Sequence, residues 1–164
     1  MSLEDRFILM VKEYEGVIFK ITTIYTNTQD DQKDLYQEIV LQLWRAFESF
    51  RNESKISTWL YRVAMNTAIT RLKKEKRKGT QIPISQVILN YTESPNTELE
   101  ERLAILYKHI EGLGNLEKGL ILLYLEDKSY EEMAEITGLS VSNVGTRLSR
   151  IKQKLKSKVK ETNA

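Results

Sequence analysis

YEEMAEITGLSVSNVGTRLSRIKQKL, residues 130–155, is the stretch that decides how this chain folds. Its apolar residues Met133, Ala134, Ile136 and Leu139 close one short helical pattern. A second pattern begins at Val141 and recurs at Val144, Leu148, Ile151 and Leu155, in steps of three and four that mark one face of a helix. Between them, Gly138 can take the left-handed conformation that ends a helix, and the Ser140 hydroxyl can cap the next one. Ser129 and Glu132 form the S-x-x-E box that opens the first helix. Two short helices joined by a tight glycine-containing turn make a helix-turn-helix. A plain helical hairpin in a bundle shares this apolar pattern, so the outward face of the second helix must separate the two.

That face carries Ser142, Asn143, Thr146, Arg147, Ser149 and Arg150. Ser140 and Ser142 sit where free backbone N–H groups and the positive helix end can meet a phosphate. Short polar side chains can approach base edges, and Arg147 or Arg150 can grip guanine or phosphate with two parallel hydrogen bonds. Residues 147–160 hold seven basic side chains and no acidic one, whereas 98–135 hold ten acidic and four basic. A module polarised in this way orients itself on DNA with the basic helix inward.

The 164 residues suffice for one ordinary domain or two small ones. A net charge of +2 is too small to indicate nucleic acid by itself; the distribution carries the signal. The absence of cysteine excludes disulfides, thiolate zinc sites and a cysteine nucleophile. The single histidine, His109, leaves little material for a metal centre or a Ser-His-Asp triad, and it reads as a surface or partly packed residue. No apolar run approaches the ~20 residues that cross a bilayer, so a soluble cytoplasmic protein is expected. Seven glycines, two prolines and no sustained alternation predict an all-α chain.

Read in order, residues 2–26 predict one or two helices, with Phe7, Met10, Val11, Tyr14, Val17, Ile18, Ile21 and Tyr25 interrupted only by Gly16. The next helix, 31–50, is introduced by Asp30, Asp31 and Asp34, where the helix dipole favours negative charge. Leu35, Ile39, Leu43, Ala46 and Phe50 make one stripe on it, and Tyr36, Val40, Trp44 and Phe47 a second. So wide an apolar surface is either wedged in a bundle or partly shown to a partner. Residues 51–57 form a polar connection in which Ser57 is placed to cap a helix over 58–78. On that helix Leu60, Val63, Ala64, Thr67 and Leu72 can face the core. Trp59, Arg62, Met65, Asn66, Ile69, Thr70 and Lys73 fall partly on another side. Its basic end, 71–78, suits a solvated helix C-terminus, and equally a single strand whose bases stack on rings while cations follow phosphates. Gly79, Pro83 and Pro95 punctuate a linker, 79–96, too apolar at Ile82, Ile84, Val87, Ile88 and Leu89 for a free tether. Two small helical domains are therefore expected, 1–78 and 97–164. Thr97 and Glu100 open the second with another capping box, ahead of helices over 99–113 and 116–125.

Two stretches, in this order, resemble one family. DLYQEIVLQLWRAFESFRNESKISTWLYRVAMNTAITRLKKEKRK, residues 34–78, looks like the region-two domain of bacterial sigma factors, and residues 130–155 look like their region-four helix-turn-helix. The short linker without a middle domain is similar to the extracytoplasmic-function (ECF) group. The resemblance implies a specificity subunit that directs RNA polymerase core to promoters and assists their melting. On its pattern Asp34, Gln37, Glu38 and Gln42 dock on the clamp helices of the polymerase β′ chain, and region four meets the β flap. The connection holding Arg51, Asn52, Ser54 and Lys55 receives a flipped base of the −10 element. Trp59, Arg62, Asn66, Arg71 and Lys73 hold the opened strand beside it. Ser140, Ser142, Asn143, Thr146, Arg147 and Arg150 read the −35 element in the major groove.

The resemblance further implies promoter DNA and an anti-sigma factor as partners, the latter able to hold the chain at the inner membrane. It implies no cofactor, metal or small-molecule substrate, and no enzymatic role. Gly145 departs from the pattern, which often has a basic or larger polar residue in the recognition helix; a close backbone approach to DNA is one reason for it. From the residues alone, a free-standing helix-turn-helix regulator of duplex operators and a helical adaptor that has lost its DNA contacts stay open beside this reading.

Overall fold

A computed structural model describes residues 1–50, 52, 54–75 and 97–163, with the backbone alone at 97, 99, 100, 103, 159 and 161–163. Among the described residues there are eight helices and no strand. Arg51, the basic residues Lys76, Arg77 and Lys78, the linker 79–96 and the capping side chains of Thr97 and Glu100 lie outside what is described. Two compact units divide the chain, Met1–Thr80 and Gln81–Ala164.

In the first unit, α1 (Leu3–Glu13) begins at Ser2, whose hydroxyl accepts the Asp5 N–H, and α2 (Glu15–Tyr25) follows directly. The break between them falls at Tyr14, with φ −106° and ψ 13°, and not at Gly16, which lies inside α2. The helix α3 (Gln29–Phe47) starts two residues before the acidic cluster suggested, because the Thr28 hydroxyl caps it by accepting the Asp31 N–H at 3.0 Å. Residues Ile18, Ile21, Leu35, Ile39, Leu43 and Leu60 are wholly buried, each worth about 1.5–3 kcal/mol of transfer free energy. Phe47 joins the dry stripe of Leu35, Ile39 and Leu43, while Trp44 on the second stripe keeps 36% of its surface exposed. A polar strut ties α2 to α3. Buried Gln32 donates from Nε2 to the hydroxyls of Thr22 (3.1 Å) and Thr23 (2.8 Å), and both hydroxyls donate onward to the Phe19 carbonyl.

The fourth helix, α4 (Ile56–Glu75), packs on α2 and α3. It opens at Lys55, whose carbonyl accepts the Trp59 N–H, so Ser57 sits inside the first turn and does not cap it. The segment before α4 turns at Asn52, a non-glycine residue with φ 58°, a conformation that asparagine tolerates better than most. Phe50 anchors this segment by packing against Trp59 with ring centroids 5.0 Å apart and the planes tilted by 38°.

In the second unit, α5 (Thr97–Glu111), α6 (Asn115–Leu125) and α7 (Tyr130–Thr137) form a cup for α8 (Val141–Asn163). Between α6 and α7 the chain reverses through Asp127 at φ 59°; the Lys128 N–H reaches the Leu123 carbonyl and the Asp127 N–H that of Tyr124, closing the helix end in the Schellman manner. The Ser129–Glu132 capping box forms reciprocally, and Gly138 takes φ 81° with its N–H on the Ala134 carbonyl. Val144, Leu148, Ile151 and Leu155 are buried against Ile110, Leu120, Leu123, Met133 and Ile136 within this unit. The Lys152 ammonium lies 3.8 Å from the centre of the Tyr124 ring, a cation–π contact between α8 and α6.

Gly145 acquires a packing explanation. A Cβ at this position would stand 3.4 Å from Cε2 of Tyr130, so the glycine lets the ring of α7's first residue lie against α8. It faces a neighbouring helix of its own unit, and the approach it permits is that of Tyr130. A methyl group fits at the margin of contact, whereas an arginine must push the ring aside. Gly145→Ala is therefore expected to raise stability by about 0.5–1 kcal/mol through helix propensity, and Gly145→Arg to lower it, in denaturant unfolding of the full chain. A second expectation concerns Tyr25, whose burial pushes its hydroxyl well above the ordinary value of 10.0. The folded state holds the neutral phenol, so its contribution is complete below that value and declines as pH rises past it. Alkaline unfolding should steepen above about pH 10, and Tyr25→Phe should flatten that slope in a pH series of melts.

Candidate nucleic-acid interface

Because one side of α8 is dry, the opposite side is fixed in solvent. Asn143, Arg147, Arg150 and Lys154 recur there at four, three and four, one continuous helix face. The Ser140 hydroxyl accepts the Asn143 N–H at 3.1 Å and so caps the helix, as its position in the sequence suggested. Ser140, Ser142, Thr146 and Arg150 are exposed, and Asn143 and Arg147 are half-buried. Thr146 donates its hydroxyl proton back to the Ser142 carbonyl at 3.1 Å, which leaves its oxygen outward as an acceptor. Arg147 donates from Nε to Oδ1 of Asn143 at 3.0 Å.

A cleft of about 270 Å³ opens along this face, lined by Asn143, Arg147, Arg150, Ile151 and Lys154 of α8 and by Glu117 of α6. Two of these were not singled out from the sequence. Lys154 was legible as the residue seven after Arg147 on the same face. Glu117 was not, since only the packing of α6 on α8 brings it there.

In the first unit, α4 exposes Arg62, Asn66, Thr70 and Lys73 at four, four and three, again a single stripe, with Lys74 beside it. The connection ahead of α4 exposes Asn52 and Lys55, with Ser54 half-buried; Arg51 lies outside the described residues. Two residues expected on this surface are not there. Trp59 is only 9% exposed. Its ring packs against Phe50 and stands 6.2 Å from Phe47, which in turn meets Phe7 at 5.4 Å. In this structure the ring is thus packed among aromatic neighbours, not presented to solvent. Arg71 also turns inward. Its Nε donates to Glu75 at 2.9 Å, and its Nη2 lies 3.4 Å from Asp31 and 3.9 Å from Asp34. Its side chain is 15% exposed, so it neutralises the acidic start of α3. Met65 is buried as well, and Ile69 half-buried, so neither belongs to the polar side.

The polar strip of α3 is present: Asp34, Gln37 and Glu38 are exposed and Gln42 half-buried. It borders an open apolar groove of about 420 Å³ formed by Phe7, Tyr36, Gln37, Val40, Leu41 and Trp44. The Phe7 and Trp44 rings meet there at 5.0 Å, and Leu41 is 44% exposed. Among the described residues no group of three His, Asp or Glu could hold a metal ion, and no helix is long and apolar enough to cross a membrane.

Residues 10–78 match the family model for sigma-70 region 2, and residues 105–155 that for sigma-70 region 4. The ECF RNA polymerase sigma-E factor of Haemophilus influenzae is 32% identical over 93% of this chain and 87% of its own length. The protein of that name from Escherichia coli K12 is 31% identical over 95% and 87%. Among solved structures, the sigma factor RpoE of Bartonella quintana, crystallised with the anti-sigma factor NepR, superposes with a TM-score of 0.76 at 20% identity, covering 94% of this chain and 97% of its own. CnrH, solved in complex with the cytosolic domain of CnrY, gives 0.69 at 18% identity over 96% and 90%. Both region models in the expected order, and relatives similar along nearly the full length, place this chain in the sigma-70 family of bacterial RNA polymerase sigma factors, within its ECF group.

Proposed function

We propose that this chain is a promoter-specificity subunit of RNA polymerase, soluble in the cytoplasm, that brings core enzyme to particular promoters and helps to open them. The observation that carries this reading is the face Asn143, Arg147, Arg150 and Lys154, held outward by the buried stripe on the other side of a capped helix. On this reading Ser140, Ser142, Asn143, Thr146, Arg147 and Arg150 meet the −35 duplex. Arg62, Asn66 and Lys73 of α4, with Arg51, Asn52, Ser54 and Lys55 before it, meet the −10 strand. Binding only the opened strand shifts the melting equilibrium without chemistry, so the role uses no cofactor or small-molecule substrate.

Asp34, Gln37, Glu38 and Gln42, with the apolar groove beside them, form the surface we assign to the β′ clamp helices. The combination of a half-open hydrophobic patch and a polar rim suits a partner that binds and leaves. The second unit would meet the β flap. An anti-sigma factor is a further partner on this reading, since both structural neighbours were solved bound to one or to the cytosolic domain of a partner.

Run-off transcription from genomic promoter fragments, with core enzyme and this chain, should yield discrete start sites; core that gains no selectivity on its addition would sink the proposal. Arg147→Ala should lower promoter occupancy by about 5- to 100-fold, the range for one bidentate contact. Arg71→Ala should behave differently, costing about 0.5–1 kcal/mol in denaturant unfolding, because the half-exposed Asp31 and Glu75 lose their counter-charge but regain water. Trp59→Ala should likewise register as a stability loss of about 3–5 kcal/mol.

A further inference from the structure

Arginine and asparagine are both base-reading residues, and independent use of each would let Arg147 read guanine and Asn143 read adenine. The structure couples them. The Asn143 Oδ1 accepts the Arg147 Nε–H at 3.0 Å, one helical turn apart, and Arg147 is half-buried against the cleft that Ile151 and Glu117 help to line. Asn143 is itself held at its backbone, where its N–H donates to the capping hydroxyl of Ser140 at 3.1 Å. Bidentate reading of adenine needs the amide oxygen as an acceptor toward N6 and the amide nitrogen as a donor toward N7. In this arrangement one of the oxygen's two lone pairs is taken by Arg147, which holds the amide toward the arginine and off the free orientation that a base edge needs. The arginine, in contrast, loses only its Nε–H and keeps the four N–H groups of its terminal nitrogens, the fork that grips guanine O6 and N7 or a phosphate.

We propose that Asn143 is a positioning residue, and that the Ser140–Asn143–Arg147 chain presents one guanidinium fork to the −35 duplex in place of two separate base contacts. Fixing that fork before contact removes rotamer freedom that an unrestrained arginine must lose on binding. The proposal rests on α8 as the duplex-reading helix and deepens that assignment.

The test uses the full chain assembled with core polymerase and a pool of promoter duplexes randomised across the −35 segment, with bound sequences and salt dependence measured for Asn143→Ala, Arg147→Ala and the double variant. Coupling predicts that both single variants flatten the preference at the same base position, or, if the fork grips phosphate, weaken all sequences alike and reduce the salt slope by about one. It also predicts that Asn143→Ala changes nothing further once Arg147 is alanine, within about twofold, whereas independent contacts multiply. Asn143→Asp, which keeps an acceptor for Nε but removes the amide donor, should retain the wild-type base preference. A multiplicative double variant, or loss of an adenine preference in Asn143→Ala alone, overturns positioning and leaves the duplex-reading assignment standing. An Arg147→Ala holoenzyme that binds the pool as the parent does overturns both.

Discussion

The burial of Val144, Leu148, Ile151 and Leu155 against the rest of their unit is the constraint on which the functional surface depends. A helix has a single register, so drying one stripe determines which side chains stand in water on the other. Rotating α8 by one residue would expose about four apolar side chains, several kilocalories of transfer free energy, and would carry Arg147 and Arg150 toward the interior. No surface interaction of that magnitude opposes it. The polar face is thus held by packing behind it, and its hydrogen bonds only refine where each group points.

The first unit applies the same logic with a different outcome. Its α4 also shows one polar stripe, Arg62, Asn66, Thr70 and Lys73. Two neighbours with the right chemistry for nucleic acid, Trp59 and Arg71, are drawn into structure. For Trp59 the competing partners are the rings of Phe47 and Phe50, and burying an indole outweighs leaving it ready for a base. For Arg71 the competitors are carboxylates on another helix and one turn along its own, which a cation shielded from water pairs with more strongly than an exposed one does. Residue type alone could not rank these alternatives.

Gly145 shows how a departure from a family pattern can have a local cause. A Cβ at this position would just touch the ring of Tyr130, so the site takes a methyl group but not the larger polar side chain of the family pattern without moving that ring. The groove of Phe7, Tyr36, Val40, Leu41 and Trp44 has the opposite character, since α3 carries more apolar surface than its own unit covers. Taken with the polar strip at its border, that excess is what one expects of a surface meant for another protein.

The chain's own pattern determined the helical class, most of the dry stripes of α3 and α8 (though not Phe47, nor Val141, which is exposed), the Ser129–Glu132 box, the Gly138 turn and the Ser140 cap, because each follows from short spacings along one segment. Tertiary structure alone decided that Trp59 and Arg71 face inward, that Gly145 lies against Tyr130, that Glu117 borders the cleft along α8, and that Phe47 belongs with the dry stripe. These outcomes depend on which groups from distant segments compete for the same side chain, and linear spacing carries no information about a competitor on another helix. The bond from Arg147 to Asn143 joins two side chains four residues apart on one helix face, a spacing that the sequence already offered.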